Sequence, residues 1–233
     1  MLINRTAVRM FLVFSGTLIF RTGSALGADL LETDQDWSII RKEAGITIMW
    51  NKVPHKEVPV FQGQTQVPYS MWEVLATLHD IEKMPDWSHR CVAAKTIKKN
   101  SEKSYVVYHR TDAPWPFLDR DVVLEVIVDV AKSRKEVIVR FQDITHEDYP
   151  VSEKLVRMPS LSGHYRVVKL GEYKSLVEYR VDADPGGGLP NWVKRMIGDD
   201  LPYFTLKMLR ERIAITSTQE KYQNIALMLS QLD

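Results

Sequence analysis

Hydrophobic and polar residues alternate along the middle of this chain. Between residues 136 and 143, Val137, Val139 and Phe141 share one parity, whereas Arg140 has the other. This period of two is typical of β-strands that have one buried face and one solvated face. It predicts strands at residues 46–50, 59–67, 91–98, 104–111, 120–130, 136–143, 163–170 and 174–183. The short polar breaks between most of these strands predict hairpins and an antiparallel sheet.

Apolar residues recur at helical spacing near both ends of the chain. Residues 34–43 are predicted to form a short helix that turns Trp37 and Ile40 inward. A second helix is expected to begin at Pro68, and residues 81–87 continue it as a turn or a short helix.

The longest helix is predicted from Pro190 to about Ile215, with an extension through Leu232. Its apolar stripe consists of Val193, Ile197, Leu201, Phe204 and Met208, with Trp192, Met196 and Leu209 beside it. Pro202 lacks a backbone N–H, so we expect a kink or a break at the middle of this helix. A run of hairpins followed by one long helix is typical of an α+β fold, in which the sheet curls round the helix.

Arg120 lies on the apolar face of its strand. Val122, Leu124, Val126 and Val128 share its parity, while the acidic residues of the strand have the opposite parity. A cation directed into an apolar interior is costly unless it is paired or meets a polar ligand. Arg120 is therefore expected either to contact a ligand or to pair with an internal carboxylate.

The space between the sheet and the last helix has two interpretations. The helix can pack directly on the sheet as a filled core, or the two can enclose a cavity. The polar ends of Arg120, Tyr165 and Tyr179 and the flexible side chains of Met196 and Met208 favour a cavity. The residues expected to line it are Arg120, Val122, Leu124, Val126, Val139, Phe141, Tyr165, Val167, Tyr179, Val181, Trp192, Met196, Phe204 and Met208.

The first 27 residues have the pattern of a cleaved signal peptide. Arg5 and Arg9 precede an apolar run over residues 10–20, and small residues occupy positions 25 and 27, so cleavage is predicted before Ala28. The alternative is an N-terminal membrane anchor, but the run is shorter than the roughly 20 residues that span a bilayer. We therefore expect an exported protein, periplasmic or secreted, with one domain over residues 28–233.

Charge and cysteine content exclude some classes of protein. Without the leader the chain has 28 basic and 30 acidic residues, a balance that argues against a nucleic-acid partner. Cys91 is the single cysteine, so an intrachain disulfide cannot form. A monomer is expected.

The sequence offers few catalytic or metal-binding patterns. The common nucleophile, zinc and redox motifs are missing, so no catalytic residue, metal or cofactor is predicted. Asp182 and Asp184 stand at a strand end, where carboxylates usually form turns. The glycine-rich segment that follows lacks the ending of a phosphate-binding loop and is predicted to be a turn. His109 is the one candidate for an acid or base.

Four segments resemble the START lipid-transfer domains, and they occur in the order found in that family. They are Trp37-Ser-Ile-Ile-Arg-Lys-Glu43-x-Gly45-Ile46, Pro114-Trp-Pro-x3-Arg120-Asp121, Gly163-x-Tyr165 and Asp182-x-Asp184-Pro-Gly-Gly-Gly-Leu-Pro190-x-Trp192. The resemblance covers residues 34–215. It implies a helix-grip fold with a tunnel for one lipid, Arg120 in or beside that tunnel, and the 144–162 connection at its entrance.

The sequence therefore favours an exported lipid carrier. It would enclose one sterol, fatty acid or phospholipid in an apolar tunnel under a lid formed by the last helix, with transient membrane contact. One alternative is a cyclase-like or hydrolase-like enzyme of the wider helix-grip superfamily, with His109 as acid or base. Another is a partner-binding module with a filled core.

Overall fold

The computed structural model describes residues 37–54, 56 and 58–232, and of residues 191, 192, 195–197 and 199 it describes the backbone alone. The predicted leader lies outside these residues. The strands are β1 (Ser38–Glu43), β2 (Ile46–Asn51), β3 (Val60–Val67), β4 (Cys91–Ser101), β5 (Ser104–Thr111), β6 (Arg120–Val130), β7 (Glu136–Asp143), β8 (Val156–Arg157), β9 (Ser160–Gly171) and β10 (Lys174–Asp184). The α-helices are α1 (Met71–His79), α2 (Asn191–Thr216) and α3 (Glu220–Ser230), and a 3₁₀ helix (Ile81–Asp86) follows α1.

Nine of these strands form one curved antiparallel sheet in the order β1-β2-β3-β10-β9-β7-β6-β5-β4. The pairing of β3 with β10 connects the strands before α1 to the strands after it. β8 pairs in parallel with the first two residues of β6. The helix α2 packs against β2, β3 and β10. The predicted α+β helix-grip fold is therefore confirmed.

The segment before the first predicted strand is itself a strand, so the helix predicted over residues 34–43 is wrong. β1 pairs with β2 at the edge of the sheet. Ile39 and Ile40 are 63% and 38% exposed, so they do not face inward. The Arg41 Nε atom donates to Glu43 Oε2 at 2.9 Å, and residues two apart share a face only in an extended strand. Pairing across the sheet has overridden a local apolar pattern only one or two turns long.

Some strand boundaries also differ from those predicted. β4 continues through residues 99–101, where a break was predicted, because Lys99 and Ser101 pair with Tyr105 and Ser104 across a tight hairpin. β9 begins three residues earlier than predicted, at Ser160. β8 is too short for alternation to reveal it.

The helices begin and end at residues that differ in part from those predicted. Ser70 and Glu73 form a reciprocal capping box, so α1 begins after Ser70 rather than at Pro68. α2 continues through Pro202 without the break that was considered, since buried side chains beyond Pro202 hold it to the sheet. The predicted extension of α2 is a separate helix, α3, after a turn at residues 217–219.

The last helix is fixed to the domain by polar contacts at both of its ends. At its start, Lys221 Nζ and the Tyr222 hydroxyl donate to Asp80 Oδ2 at 2.6 Å and 2.8 Å. At its end, Arg134 donates to the Leu232 carbonyl at 2.9 Å. Between these contacts α3 packs against α1. The segment after residue 218 is therefore an integral part of the domain.

The second half of α2 packs directly on the sheet. Leu206, Leu209 and Ile213 are at most 1% exposed. A Cβ atom on Gly63 of β3 would lie 2.6 Å from Leu206 Cδ1, so the helix approaches the strand at a position where only glycine fits. Under this half of the helix the interior is a filled core.

Candidate functional site

The first half of α2 covers a cavity of about 150 Å³. Its wall is mostly apolar and is formed by the inner faces of β5, β6, β7, β9 and β10, by the 3₁₀ helix and by one side of α2. A Cβ atom on Gly198 would lie 2.2 Å from Cζ of Phe61, so this glycine lets the Phe61 ring lie beneath the helix as part of the wall. The interior is thus open under one half of α2 and filled under the other.

Most of the residues predicted to line a cavity do line this one. They are Arg120, Leu124, Val126, Val139, Phe141, Tyr165, Tyr179 and Val181. All lie on strands, where alternation assigns a side chain to one face of the sheet without ambiguity. Of the other predicted residues, the side chains of Trp192 and Met196 lie outside the described part of the molecule.

The helix presents a different face to the cavity from the one predicted. Lys194, Gly198, Leu201 and Pro202 line it, whereas Phe204 and Met208 do not. Phe204 instead contacts the ring of His89, with 5.0 Å between ring centroids, and the Arg41 guanidinium lies 5.5 Å from its ring. Met208 packs against the core. Of the predicted apolar stripe, Leu201 lines the cavity, whereas Phe204 and Met208 pack elsewhere.

Val122 and Val167 were also predicted to line the cavity, but neither is among the residues that form its wall. Val122 is 1% exposed and Val167 is fully buried, and both belong to the main hydrophobic cluster. α1 packs against β9, the strand that carries Val167. Strand parity places both side chains on the inner face correctly, but it cannot show which inner positions other elements cover.

Arg120 lies at one end of the cavity and is buried, with 4% of its surface exposed. Its Nη1 atom donates to the Leu118 carbonyl, and its Nε atom has no hydrogen-bond partner. Burial lowers the pKa of the guanidinium, and the charge of Asp119 opposes that shift. A Cβ atom on Gly187 would lie 3.2 Å from Nη2, so the glycine-rich loop before α2 closes over this side chain.

The two carboxylates next to Arg120 in sequence are engaged by other arginines. Asp119 Oδ2 accepts from Arg110 Nε at 2.9 Å and from Arg110 Nη2 at 2.5 Å. Asp121 accepts from Arg157 through both carboxylate oxygens, at 2.9 Å and 3.0 Å. Among the described residues, no carboxylate lies within ion-pair distance of Arg120. Within the described residues, the structure therefore shows no pairing of Arg120 with an internal carboxylate, the alternative left open by the sequence.

His109 and Thr111 of β5 border the same end of the cavity. Thr111 is the cross-strand neighbour of Arg120, and its hydroxyl lies 3.4 Å from Nδ1 of His109. Burial lowers the pKa of His109 to about 4, so near pH 7 this side chain is not the imidazolium ion that acts as a general acid, and it is a weak base. It can serve as a neutral hydrogen-bonding group.

Aromatic rings line the middle of the cavity. Tyr165 and Tyr179 stack with 4.5 Å between ring centroids, and Trp87 meets Tyr165 edge-on at 6.0 Å. The Trp87 Nε1–H donor is buried without a partner. Trp87 is not among the residues that alternation predicts to line the cavity. Its spacing of three from Ile81 and Met84, which also line the cavity, is the pattern that could have indicated it.

The carboxylates at the end of β10 have structural partners. Asp182 pairs with Lys56, and Asp184 Oδ1 accepts from the Gly186 N–H at 2.9 Å, as expected of a turn-forming aspartate. Within the described residues, no three histidine, cysteine or acidic side chains are grouped to hold a metal ion. No helix in this part of the chain combines the length and apolar character needed to cross a membrane.

The sequence profile of the START domain matches residues 20–214 of this chain. The chain belongs to the START domain family. An uncharacterized protein of Pseudomonas aeruginosa, PA1579, is 27% identical over 176 residues, which cover 76% of this chain and 86% of that protein. START domain-containing protein 10 of Mus musculus is 24% identical over 217 residues, covering 85% of this chain and 74% of the mouse protein.

A solved structure shows the same fold. The STAR-related lipid transfer protein fragment from Xanthomonas axonopodis aligns with a TM-score of 0.69 and 26% identity, covering 76% of this chain and 98% of that one. The START domain resemblance seen in the sequence is therefore confirmed.

Two of the START motifs meet at Arg120. The Pro-Trp-Pro corner leads directly into β6 and supplies the Leu118 carbonyl that Arg120 contacts. The glycine-rich motif after β10 supplies Gly187, which lies against the guanidinium. The 144–162 connection contributes Met158 and Leu161 to the cavity wall. Segments far apart in the sequence are thus brought together around one buried charge.

Proposed function

We propose that this START domain protein is an exported carrier that binds one lipid in the cavity, with the polar end of the lipid at Arg120. The observation that carries the proposal is a buried guanidinium at the end of an apolar space, with no carboxylate partner among the described residues. Burial of such a charge destabilises the ligand-free protein. A hydrogen-bond acceptor on a ligand would offset that loss of stability.

Burial of the apolar part of the ligand would supply most of the binding free energy. At about 25 cal/mol per Å², roughly 400 Å² of ligand surface contributes about 10 kcal/mol before the cost of association is subtracted. A START relative in the solved structures is a lipid transfer protein, which supports the same role here. Because His109 is neutral and has no carboxylate contact among the described residues, binding is favoured over catalysis.

The first half of α2 is proposed to act as the lid. At about 150 Å³ the cavity is smaller than the roughly 300–1,000 Å³ typical of ligand sites, so it must widen to admit a lipid. Pro202 leaves one helical hydrogen bond unmade at the junction between the covering half and the anchored half of α2. Movement of the covering half would open the cavity while Leu206 and Leu209 hold the other half in place.

Native mass spectrometry of the full chain, purified without detergent, tests the carrier proposal. We expect a monomer that carries one lipid of defined mass. The same lipid should be depleted in Arg120→Met and retained in Arg140→Met, which removes a half-exposed arginine on the outer face of β7. A ligand-free protein that also takes up no added lipid or apolar dye would contradict the proposal.

Export is proposed from the leader in residues 1–27. Cell fractionation combined with N-terminal sequencing tests it. The mature protein should leave the cytoplasm and begin at Ala28. Recovery of an uncleaved chain from the membrane would instead support the anchor.

Transient membrane contact is proposed at the Pro-Trp-Pro corner. Trp115 is 91% exposed and Leu118 is 50% exposed, and tryptophan is favoured at membrane interfaces. Trp115→Ser should slow lipid transfer between vesicles without weakening lipid binding in solution. Tyr173→Ser is the matched control, because Tyr173 is 67% exposed in the β9–β10 hairpin at the opposite end of the sheet. Equal effects of the two variants would contradict a contact at this corner.

A further inference from the structure

Within the described part of the chain, the polar end of the cavity includes a buried cation, Arg120, that has no counterion. Arg90 and Asp112 both line this end, and they pair with each other at 3.0 Å. Lys194 also lines the cavity, and it interacts with another group of the protein. His109 is neutral near pH 7. Among the described residues at this end, Arg120 is a buried cation without a counterion, so a ligand with one negative charge would balance it.

The unpaired polar atom at this end of the cavity is a hydrogen-bond donor. Arg120 Nε is buried without a partner among the described residues, and a guanidinium can only donate. A carboxylate accepts through two oxygens and brings no proton of its own. A sterol hydroxyl offers one oxygen and adds a further donor. The donor excess therefore favours an acceptor-only head group.

The residues that line the cavity are spread along β6. The cavity wall extends along β6 from Arg120 to Val126, which is about 20 Å at the usual rise per residue of a strand. That distance is comparable to an extended long acyl chain, yet the whole cavity holds only about 150 Å³. The stacked rings of Tyr165 and Tyr179 form part of the wall. Because the cavity must widen for any lipid, one slender chain would require less widening than a fused ring system or two acyl chains.

From charge, donor excess and shape together, we propose that the site selects a long-chain carboxylate, a fatty acid, with its head group on Arg120 and its chain directed towards Val126. Thr111 and His109, beside the guanidinium, would complete the polar end as neutral partners. The inference rests on the proposed carrier function and goes beyond it by naming the ligand class.

Displacement of Nile red, a neutral apolar dye, from the delipidated full chain tests this selectivity. Tetradecanoate and 1-tetradecanol differ only at the polar end. The ratio of the concentrations at which they displace the dye therefore measures the contribution of the head group to binding. We expect tetradecanoate to displace the dye at a concentration about 10- to 100-fold lower, the range expected for a charged hydrogen bond. In Arg120→Met the ratio should fall to about 1 through loss of carboxylate affinity alone, whereas Arg140→Met should keep the wild-type ratio.

The other outcomes separate this inference from the carrier function. Equal displacement by the acid and the alcohol in the wild-type chain would overturn the carboxylate selectivity and leave the carrier intact. Tighter binding of cholesterol, of a two-chain phosphatidylcholine or of tetradecyl phosphate would overturn it as well. A chain that binds neither Nile red nor any lipid would overturn the carrier function itself. The wild-type ratio decides the matter even if Arg120→Met fails to fold.

Discussion

Arg120 and Asp121 are adjacent in sequence and almost equally buried, at 4% and 3% exposure. Their side chains lie on opposite sides of β6, however, and they differ in their polar partners. On the outer side, Asp121 forms a bidentate pair with Arg157, which the short strand β8 holds in place. On the cavity side, Arg120 has one backbone carbonyl as a partner and an unpaired Nε. A buried charge that stabilises the fold has a counterion within the protein. A buried charge that binds a ligand instead lowers the stability of the protein until the ligand is bound.

The largest expected effect comes from breaking the outer pair. Asp121→Ala leaves Arg157 without its counterion beside a buried strand, which should lower the free energy of unfolding by about 3–5 kcal/mol. Urea unfolding monitored by tryptophan fluorescence measures the change.

The matched control lies on the same face of the same strand. Asp129 is half-exposed and pairs with Arg140, so Asp129→Ala should cost less than about 1 kcal/mol. If the two variants lose the same stability, burial does not distinguish the two pairs and the comparison fails.

A smaller loss of folding stability is expected at acid pH, because His109 on the cavity side must then become protonated. Burial lowers its pKa from 6.5 to about 4, so the folded state binds this proton only at lower pH than the unfolded chain. Stability should therefore fall as the pH is lowered from about 6.5 to 4, by at most roughly 3 kcal/mol from this residue.

His109→Gln should remove that part of the pH dependence. His79 and His89 also have pKa values lowered by burial, so the informative quantity is the difference between the wild-type and variant profiles. Parallel profiles across this pH range would show that His109 is not held neutral by the fold.

The smallest predicted change is a gain rather than a loss of folding stability. In the delipidated protein, Arg120→Met replaces an unpaired buried charge with an apolar side chain of similar length, which should raise the free energy of unfolding by about 1–2 kcal/mol. The same urea titration measures it. A clear loss of stability would mean that Arg120 serves the fold in the way that Asp121 does.

Alternation allowed the strands and the strand residues of the site to be predicted from the sequence. A period of two fixes the face of each side chain, so Leu124, Val126, Val139 and Tyr165 could be assigned before the topology was known. The edge strand β1 could not, because its pairing with β2 is a long-range contact and its apolar residues are exposed.

The helical side of the site was harder to predict. Phe204 and Met208 of the predicted stripe on α2 do not line the cavity, whereas Lys194, Gly198 and Leu201 do. Which part of a helix covers a cavity depends on what fills the space below it, and that follows from all the packed elements together. The unpaired state of Arg120 was equally hidden, because it depends on Arg110 and Arg157 engaging both neighbouring carboxylates.

A crystal structure of the delipidated chain with tetradecanoate carrying bromine on its last carbon tests the central claim most directly. The account predicts a carboxylate oxygen about 2.7–2.9 Å from the Arg120 guanidinium. The anomalous signal of the bromine should lie at the far end of the cavity, near Leu78 and Tyr105. Bromine beside Arg120, or a ligand bound outside the cavity, would contradict the account.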